Sequence, residues 1–487
     1  MKSQLKGSWP AAVPMLMLLL PVTAAAVVVG DPGTVHGNTR TYFLTATDGR
    51  ITMGDGETAY MWGYASLTGT PTCPGGNCMQ FPGPTLIVNQ GEHIVITLTN
   101  HIPTLPGNTP VNTSIVFPGQ SVAPGAGAGV QGALTLEARP GETITYSFTA
   151  SQPGTYSYYS GTQSWLQVEM GLLGALIVRP SNVGGGNCPS FSNPNAPSNG
   201  YAYCAKNAYF DREYLFLTSD MDPLLHRQVE FGNLAQVDNT ARHPTAWLIN
   251  GRTFPDTMAQ DYAGWLPNQP YGSMPMMHPL ESVLMRLIGG GRDLHPFHTH
   301  GQNHLVIARD GQLLQSSPTA GVADLPVSDY TTTTVAGETV DAIWGPWTGF
   351  ELNWDVFGPV SSHACSTTCT AASCPLTTLI AFKGLSGFDP TTGEWCADHN
   401  KPIPVKLPAD SKMTYGQMYG GTPYLGVPGE IPPIDPNNGA YHSNQNPMAG
   451  LSFMWHSHSE RELTTNNIFI GGMATMALVL PYSVVIP

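Results

Sequence analysis

The sequence predicts an all-β protein, and three observations carry that expectation. Glycine (54) and proline (44) make up about a fifth of the 487 residues, with neither a collagen period nor one low-complexity tract. Charged residues are 11% of the chain, too sparse for long surface helices, while 41% hydrophobic residues are enough to build cores. Apolar residues alternate one by one in short runs cut by Gly/Pro turns, which is the period of strands. On its own this patterning specifies a sandwich or a barrel.

The chain starts with Lys2 and Lys6 ahead of an apolar stretch from Pro10 to Ala26 that ends in small residues. We read 1–26 as an export signal. An uncleaved anchor is the rival reading; Pro10, Pro14, Pro21 and the alanine run favour the signal. Residues 31–182 form the first β unit. Within it, Gly83–Val88 leads through a turn into His93–Asn100, where Ile94, Ile96 and Leu98 share one face. Gly141–Phe148 repeats that theme, and Leu172–Val178 is a near-continuous apolar strand. The Gly/Asn/Pro/Ser-rich segment 183–200 reads as a linker.

The second unit, 201–487, opens with Tyr214–Thr218. In Glu281–Ile288, residues Val283, Met285 and Leu287 lie on one face; Leu305–Ala308 precedes the turn Arg309–Gln312. About 348–450 has weak periodicity and reads as a long disulfide-rich insertion. Regular patterning resumes at Leu451 and closes with Ala474–Pro481.

Eight cysteines suit an oxidising compartment. Cys73/Cys78 and Cys188/Cys204 read as local disulfides, and Cys365, Cys369, Cys374 and Cys396 as two more. A metal site with His363 is the alternative for the last group, although paired C-x2-C spacing is missing. The formal charge of −14, from 33 acidic and 19 basic residues, with no basic run, excludes nucleic acid as a partner. There is no nucleophile elbow, P-loop or dinucleotide fingerprint, so hydrolase and nucleotide chemistry have no support.

Chemistry concentrates in two histidine motifs, His295-Pro-Phe-His298-Thr-His300-Gly301 and His456-Ser-His458. Residues two apart on a strand share a face about 7 Å apart, so each pair aims two imidazoles at one place. Imidazole is the common ligand of copper, zinc and iron. If the last strand continues, Glu460 and Glu462 join that face as carboxylate ligands; if it ends near Ser459, they lie on a solvated turn. Met274-Pro-Met276-Met277-His278 could offer thioethers to Cu(I) but reads better as a packed loop. His363, His399 and His442 carry no pattern.

At these motifs the sequence resembles the multicopper oxidase family of cupredoxin-fold proteins. Gly83–Glu92, Gly154–Tyr158 through Gly171–Val178, Leu248–Arg252, Arg286–Gly290 and, most specifically, His295–Gly301 carry the likeness. It implies two cupredoxin-like Greek-key β-sandwich domains. It further implies that His295 serves a mononuclear blue copper and that His298, His300, His456 and His458 serve a trinuclear cluster. The sequence departs from the pattern at Ser457, which stands where the blue-copper cysteine belongs, and at Glu462, which stands where a second blue-site histidine belongs. Val116-Phe-Pro-Gly119 and Tyr159-Ser-Gly161 stand where the family has its first-domain histidines. The metal candidates are therefore His295, His298, His300, His456, His458, Glu460 and Glu462, holding roughly one or two copper ions rather than a full set.

The expectation is an exported copper oxidoreductase acting on a metal ion or a small molecule, with no individual catalytic residue assignable. A non-catalytic copper-binding or scaffold protein is one alternative. The other is a subunit whose site is completed in a homo- or hetero-oligomer.

Overall fold

The computed structural model describes residues 28–67, 79–181, 200–278, 281–318, 321–345, 417–421, 450–480 and 486. The expected signal segment, the linker up to residue 199, most of the insertion, and at least one member of every expected disulfide lie outside them. Among the described residues, strands dominate and no helix is long and apolar enough to cross a membrane.

The strands form two sandwiches. In the first, Thr39–Thr52 pairs parallel with His93–Asn100 and antiparallel with Thr58–Ser66. His93–Asn100 then pairs with Thr143–Thr149. Buried and half-exposed residues alternate along His93–Asn100, as its sequence period requires. The facing sheet is Gly154–Tyr159, Leu173–Arg179 and Gly83–Asn89, the last two parallel. Tyr42, Leu44, Ile96 and Tyr146 from one sheet meet Leu86, Tyr158 and Leu176 from the other in a continuous core.

In the second sandwich, Arg212–Met221 runs parallel to Val283–Gly289, which pairs with Thr339–Trp344. The strand His304–Arg309 follows and turns through Asp310 and Gly311, both at positive φ, into Gln312–Leu313. That geometry is the primed two-residue hairpin. The opposing sheet runs Met276–Met277, Ala474–Val479, Gly450–Ser457, His295–Thr299 and Thr331–Thr334. Phe216, Met285 and Trp344 pack against Phe297, Phe453 and Trp455 between the sheets. Met277 belongs to this core, so the Met274–His278 motif is packing material.

The sandwiches share a third apolar cluster, in which Met61, Phe81, Leu173 and Ile177 meet Leu215, Leu217, Leu248 and Ile288. Beside it runs a polar seam. Arg286, fully buried, donates to Glu213 (2.8 Å) and Thr155 (2.8 Å) and lies 3.5 Å from Asp341. Arg179 of the first sandwich closes on the same Glu213. Burial would raise the Glu213 carboxyl, but the charges of Arg286 and Arg179 outweigh it and hold the pKa below the usual value. Removing the cation leaves Asp341 with no cationic partner among the described residues and Glu213 with Arg179 alone. Arg286→Ala should therefore cost about 3–5 kcal/mol in urea unfolding monitored by tryptophan fluorescence, with Arg286→Lys intermediate.

Candidate metal centre

The centre is set by one antiparallel pairing. His298 lies directly opposite His456, and Phe297 directly opposite Ser457, where His295–Thr299 meets Gly450–Ser457. Side chains alternate between faces along a strand. The pairing therefore sends Phe297 and Ser457 into the core and the two imidazoles to the outer face. His300 and His458 follow by their two-residue spacing. Gly301, at φ +95°, then turns the chain away; a Cβ there would meet Phe453 and Trp344 at 2.9–3.0 Å.

Four imidazoles converge on that outer face. The His298 ring lies 4.8 Å from those of His300 and His458 and 5.4 Å from that of His456. Each of His298, His300 and His456 offers a ring nitrogen within 4.8 Å of the others. The Nε2 atoms of His300 and His456 are 3.1 Å apart. His456 donates from Nδ1 to the Ser457 carbonyl (2.7 Å), which leaves its Nε2 lone pair facing the cluster. His298 Nδ1 is oriented by the Thr331 hydroxyl at 2.7 Å. The His298, His300 and His456 side chains are half-buried, whereas His458 is exposed.

Burial and the neighbouring rings disfavour protonation of His298 and His456. Burial, and then the neighbouring His300, His456 and His458, push His298 down to about 4. Burial together with His300 and His458 also lowers His456, against its bond to the Ser457 carbonyl. Neutral imidazoles with converging lone pairs form a donor set suited to a copper-type ion, whose bonds to imidazole nitrogen are about 2.0–2.1 Å in the comparable zinc case.

The other sequence candidates are placed differently. The strand stops at Ser457, and Glu460–Leu463 is a 3₁₀ turn. The single face predicted for His456 through Glu462 therefore does not form. Glu460 is exposed and outside the cluster. Glu462 folds under the sheet, where its Oε2 accepts from Ser457 Oγ (2.7 Å) and His295 Nδ1 (2.9 Å). His295 lies on the core side with them, and its Nε2 points to Asp220 Oδ1 at 3.3 Å. A carboxylate oxygen stands at each ring nitrogen of His295, and neither nitrogen belongs to the imidazole cluster on the outer face. Burial lowers its pKa, but the bonds to Asp220 and Glu462 prevail and raise it to about 9.

The positions standing where the family has first-domain histidines are filled by a neutral network. Val116 and Tyr159 exchange backbone hydrogen bonds (2.8 and 3.2 Å). Gln167 Oε1 accepts from Thr113 (3.0 Å) and Ser160 (2.7 Å), while Ser114 and Thr162 hydroxyls pair at 2.9 Å. This network contains no imidazole, thiolate or carboxylate.

Sequence reasoning missed Thr331, Asp220, Arg242 and Glu169. Arg242 contacts Asp220 and bonds Glu169 at 2.6 Å, tying this core-side group to the first sandwich. The available signal was Asp220 and Asp222 at the end of an otherwise apolar strand, since buried carboxylates require partners.

Residues 64–183 match the family model described as Multicopper oxidase. Laccase abr2 of Aspergillus fumigatus is 38% identical over 103 residues, covering 21% of this chain and 16% of the laccase. An L-ascorbate oxidase of Brassica rapa subsp. pekinensis is 37% identical over 123 residues, covering 24% of this chain and 20% of the oxidase. Each match thus spans a fifth or less of the relative's own length. Among solved structures, the Blue Copper Oxidase from Nitrosomonas europaea aligns over 91% of this chain and 86% of its own, with 18% identity and a TM-score of 0.49. The class that the described residues define is an all-β protein of two sandwiches with an imidazole cluster on one outer face. Over residues 64–183 this chain resembles the multicopper oxidase family.

Restoring the family's thiolate alone should not restore its chromophore. Copper-loaded Ser457→Cys is expected to lack the intense visible copper–thiolate absorption, because Glu462 and Asp220 still occupy both His295 nitrogens. A strong blue band in that variant would show that His295 is available to metal.

Proposed function

We propose that the protein is an exported copper-binding oxidoreductase with a reduced metal site, formed by His298, His300, His456 and His458 in the second sandwich. The observation that carries this reading is the convergence of four imidazoles from two adjacent paired strands, three of them with ring nitrogens within 4.8 Å of one another. Copper held there supplies one-electron redox chemistry. The chain's own contribution is to fix and neutralise the ligands. Ser457 sets the His456 tautomer through its carbonyl, Thr331 orients His298, and burial with mutual repulsion keeps protons off the His298 and His456 rings.

Exposed His458 and the Tyr330 ring, set edge-on to His298 with centroids 5.6 Å apart, leave the centre open to solvent. That openness suits a metal ion or a small organic reductant. The relatives named laccase and L-ascorbate oxidase are consistent with such a substrate class. Glu460 and Glu462 are not part of the proposed ligand set.

A second reading is a non-catalytic copper-binding protein. Its support is Ser457 with the closed His295–Glu462 pair, which offers no thiolate through which electrons would reach the cluster. Turnover separates the two readings once binding is established.

Elemental mass spectrometry of copper-loaded protein tests the shared premise. Roughly one or two ions per chain are expected, falling to background in the His298→Ala/His456→Ala double variant. Absence of copper from the folded wild-type protein would remove both readings.

A further inference from the structure

A second cluster of ionisable groups lies beneath the histidine centre, on the core side of the same two strands. We propose that it is a metal-free ionic lock, in which a His295 imidazolium held between Asp220 and Glu462 takes the place that the family resemblance gives to the mononuclear blue copper. The proposal concerns the protein without metal and does not depend on copper binding by the other four histidines.

Three features of the site support it. The carboxylates sit at opposite ring nitrogens, Glu462 at Nδ1 (2.9 Å) and Asp220 at Nε2 (3.3 Å), so they cannot converge on one ion beside a single nitrogen. The third neighbour is the Ser457 hydroxyl, which already donates to Glu462. Accordingly, His298, His300 and His456 form the sole candidate metal group among the described residues.

Charge compensation gives the second feature. Glu462 is 7% exposed and Asp220 4% exposed. Asp220 has Arg242 as a cationic partner and accepts from the backbone N–H groups of Arg292 (2.9 Å) and Asp293 (3.1 Å). Gly291 permits that wrap, since a Cβ there would fall 2.0 Å from Asp220 Oδ1. Glu462 has no such support. Among the described residues its one cationic partner is His295. A neutral ring would leave a buried carboxylate uncompensated, which is costly.

The third feature is mechanical. Through Ser457 and His295, Glu462 ties the turn Glu460–Leu463 to both strands that carry the metal-binding histidines.

Other charges facing the cluster are Glu169 and Asp293 on Arg242, Arg292 at 4.0 Å from Glu169, and His226 at 3.7 Å from Glu169. Apart from Asp293 and the partly exposed Arg292, these side chains are buried. A histidine whose folded pKa is raised from 6.5 to about 9 contributes stability that is complete below about 6.5 and lost as pH rises through about 9.

The direct test is nitrogen-15 NMR of selectively histidine-labelled, metal-free full-length protein, with the His295 signal assigned by comparison with His295→Gln. Both ring nitrogens should be protonated at pH 7, and the signal should titrate well above free histidine. A neutral tautomer at pH 7 would overturn the proposal. Copper stoichiometry provides a second arm. His295→Gln should keep the wild-type copper-to-chain ratio while its thermal midpoint falls at pH 7, with the gap to wild type closing by pH 10. Loss of copper from folded His295→Gln, with the His298 group intact, would mean that His295 is a ligand and would contradict the lock. If that variant does not fold, the wild-type pH-dependence of stability decides: a midpoint flat between pH 6.5 and 10 would also contradict it.

Discussion

The metal centre depends on the register between two antiparallel strands, in which His298 faces His456 and Phe297 faces Ser457. Because strand side chains alternate, a slip of one residue would bury the imidazoles and push Phe297 and Ser457 outward. Core packing resists that slip. Phe297 and Trp455 lie against Phe216, and Trp455 also against Trp344, at ring separations of 5.2–5.8 Å. The aromatic core of the second sandwich thus sets the alignment of the ligands on its outer surface.

The same pleat separates two kinds of electrostatics within a few residues of one strand. On the outer face, burial and the neighbouring imidazoles disfavour protonation of His298 and hold it neutral. On the inner face, one imidazole between two carboxylates is held charged. His295 and His298 have the same side chain and belong to the same sequence motif. Their protonation differs because their partners differ, a distinction that motif spacing alone does not carry.

Much of the fold was legible in the sequence. The alternation of His93–Asn100, the doubly buried run Leu173–Arg179 and the hairpin at Asp310-Gly311 all follow from local pattern and turn chemistry. Two-residue spacing also put His298 with His300, and His456 with His458, on one face each; bringing the two pairs together took the strand register. The fate of Glu460 and Glu462 was not legible, because it depends on where the strand ends. The chain turns after Ser457, where a buried Glu462 gains two hydrogen bonds that a continued strand would not give it. Asp220 and Arg242 come from distant segments, so only the tertiary fold brings them to His295.

The histidine cluster implies copper held by imidazoles, without a thiolate. Copper K-edge X-ray absorption on the loaded wild-type protein tests it most directly. Imidazole ligation gives a first shell of nitrogen and oxygen scatterers, with the multiple-scattering pattern of several histidines and no sulfur. A sulfur scatterer at bonding distance would contradict it, because it would place a thiolate or thioether at a centre where, among the described residues, only imidazoles converge.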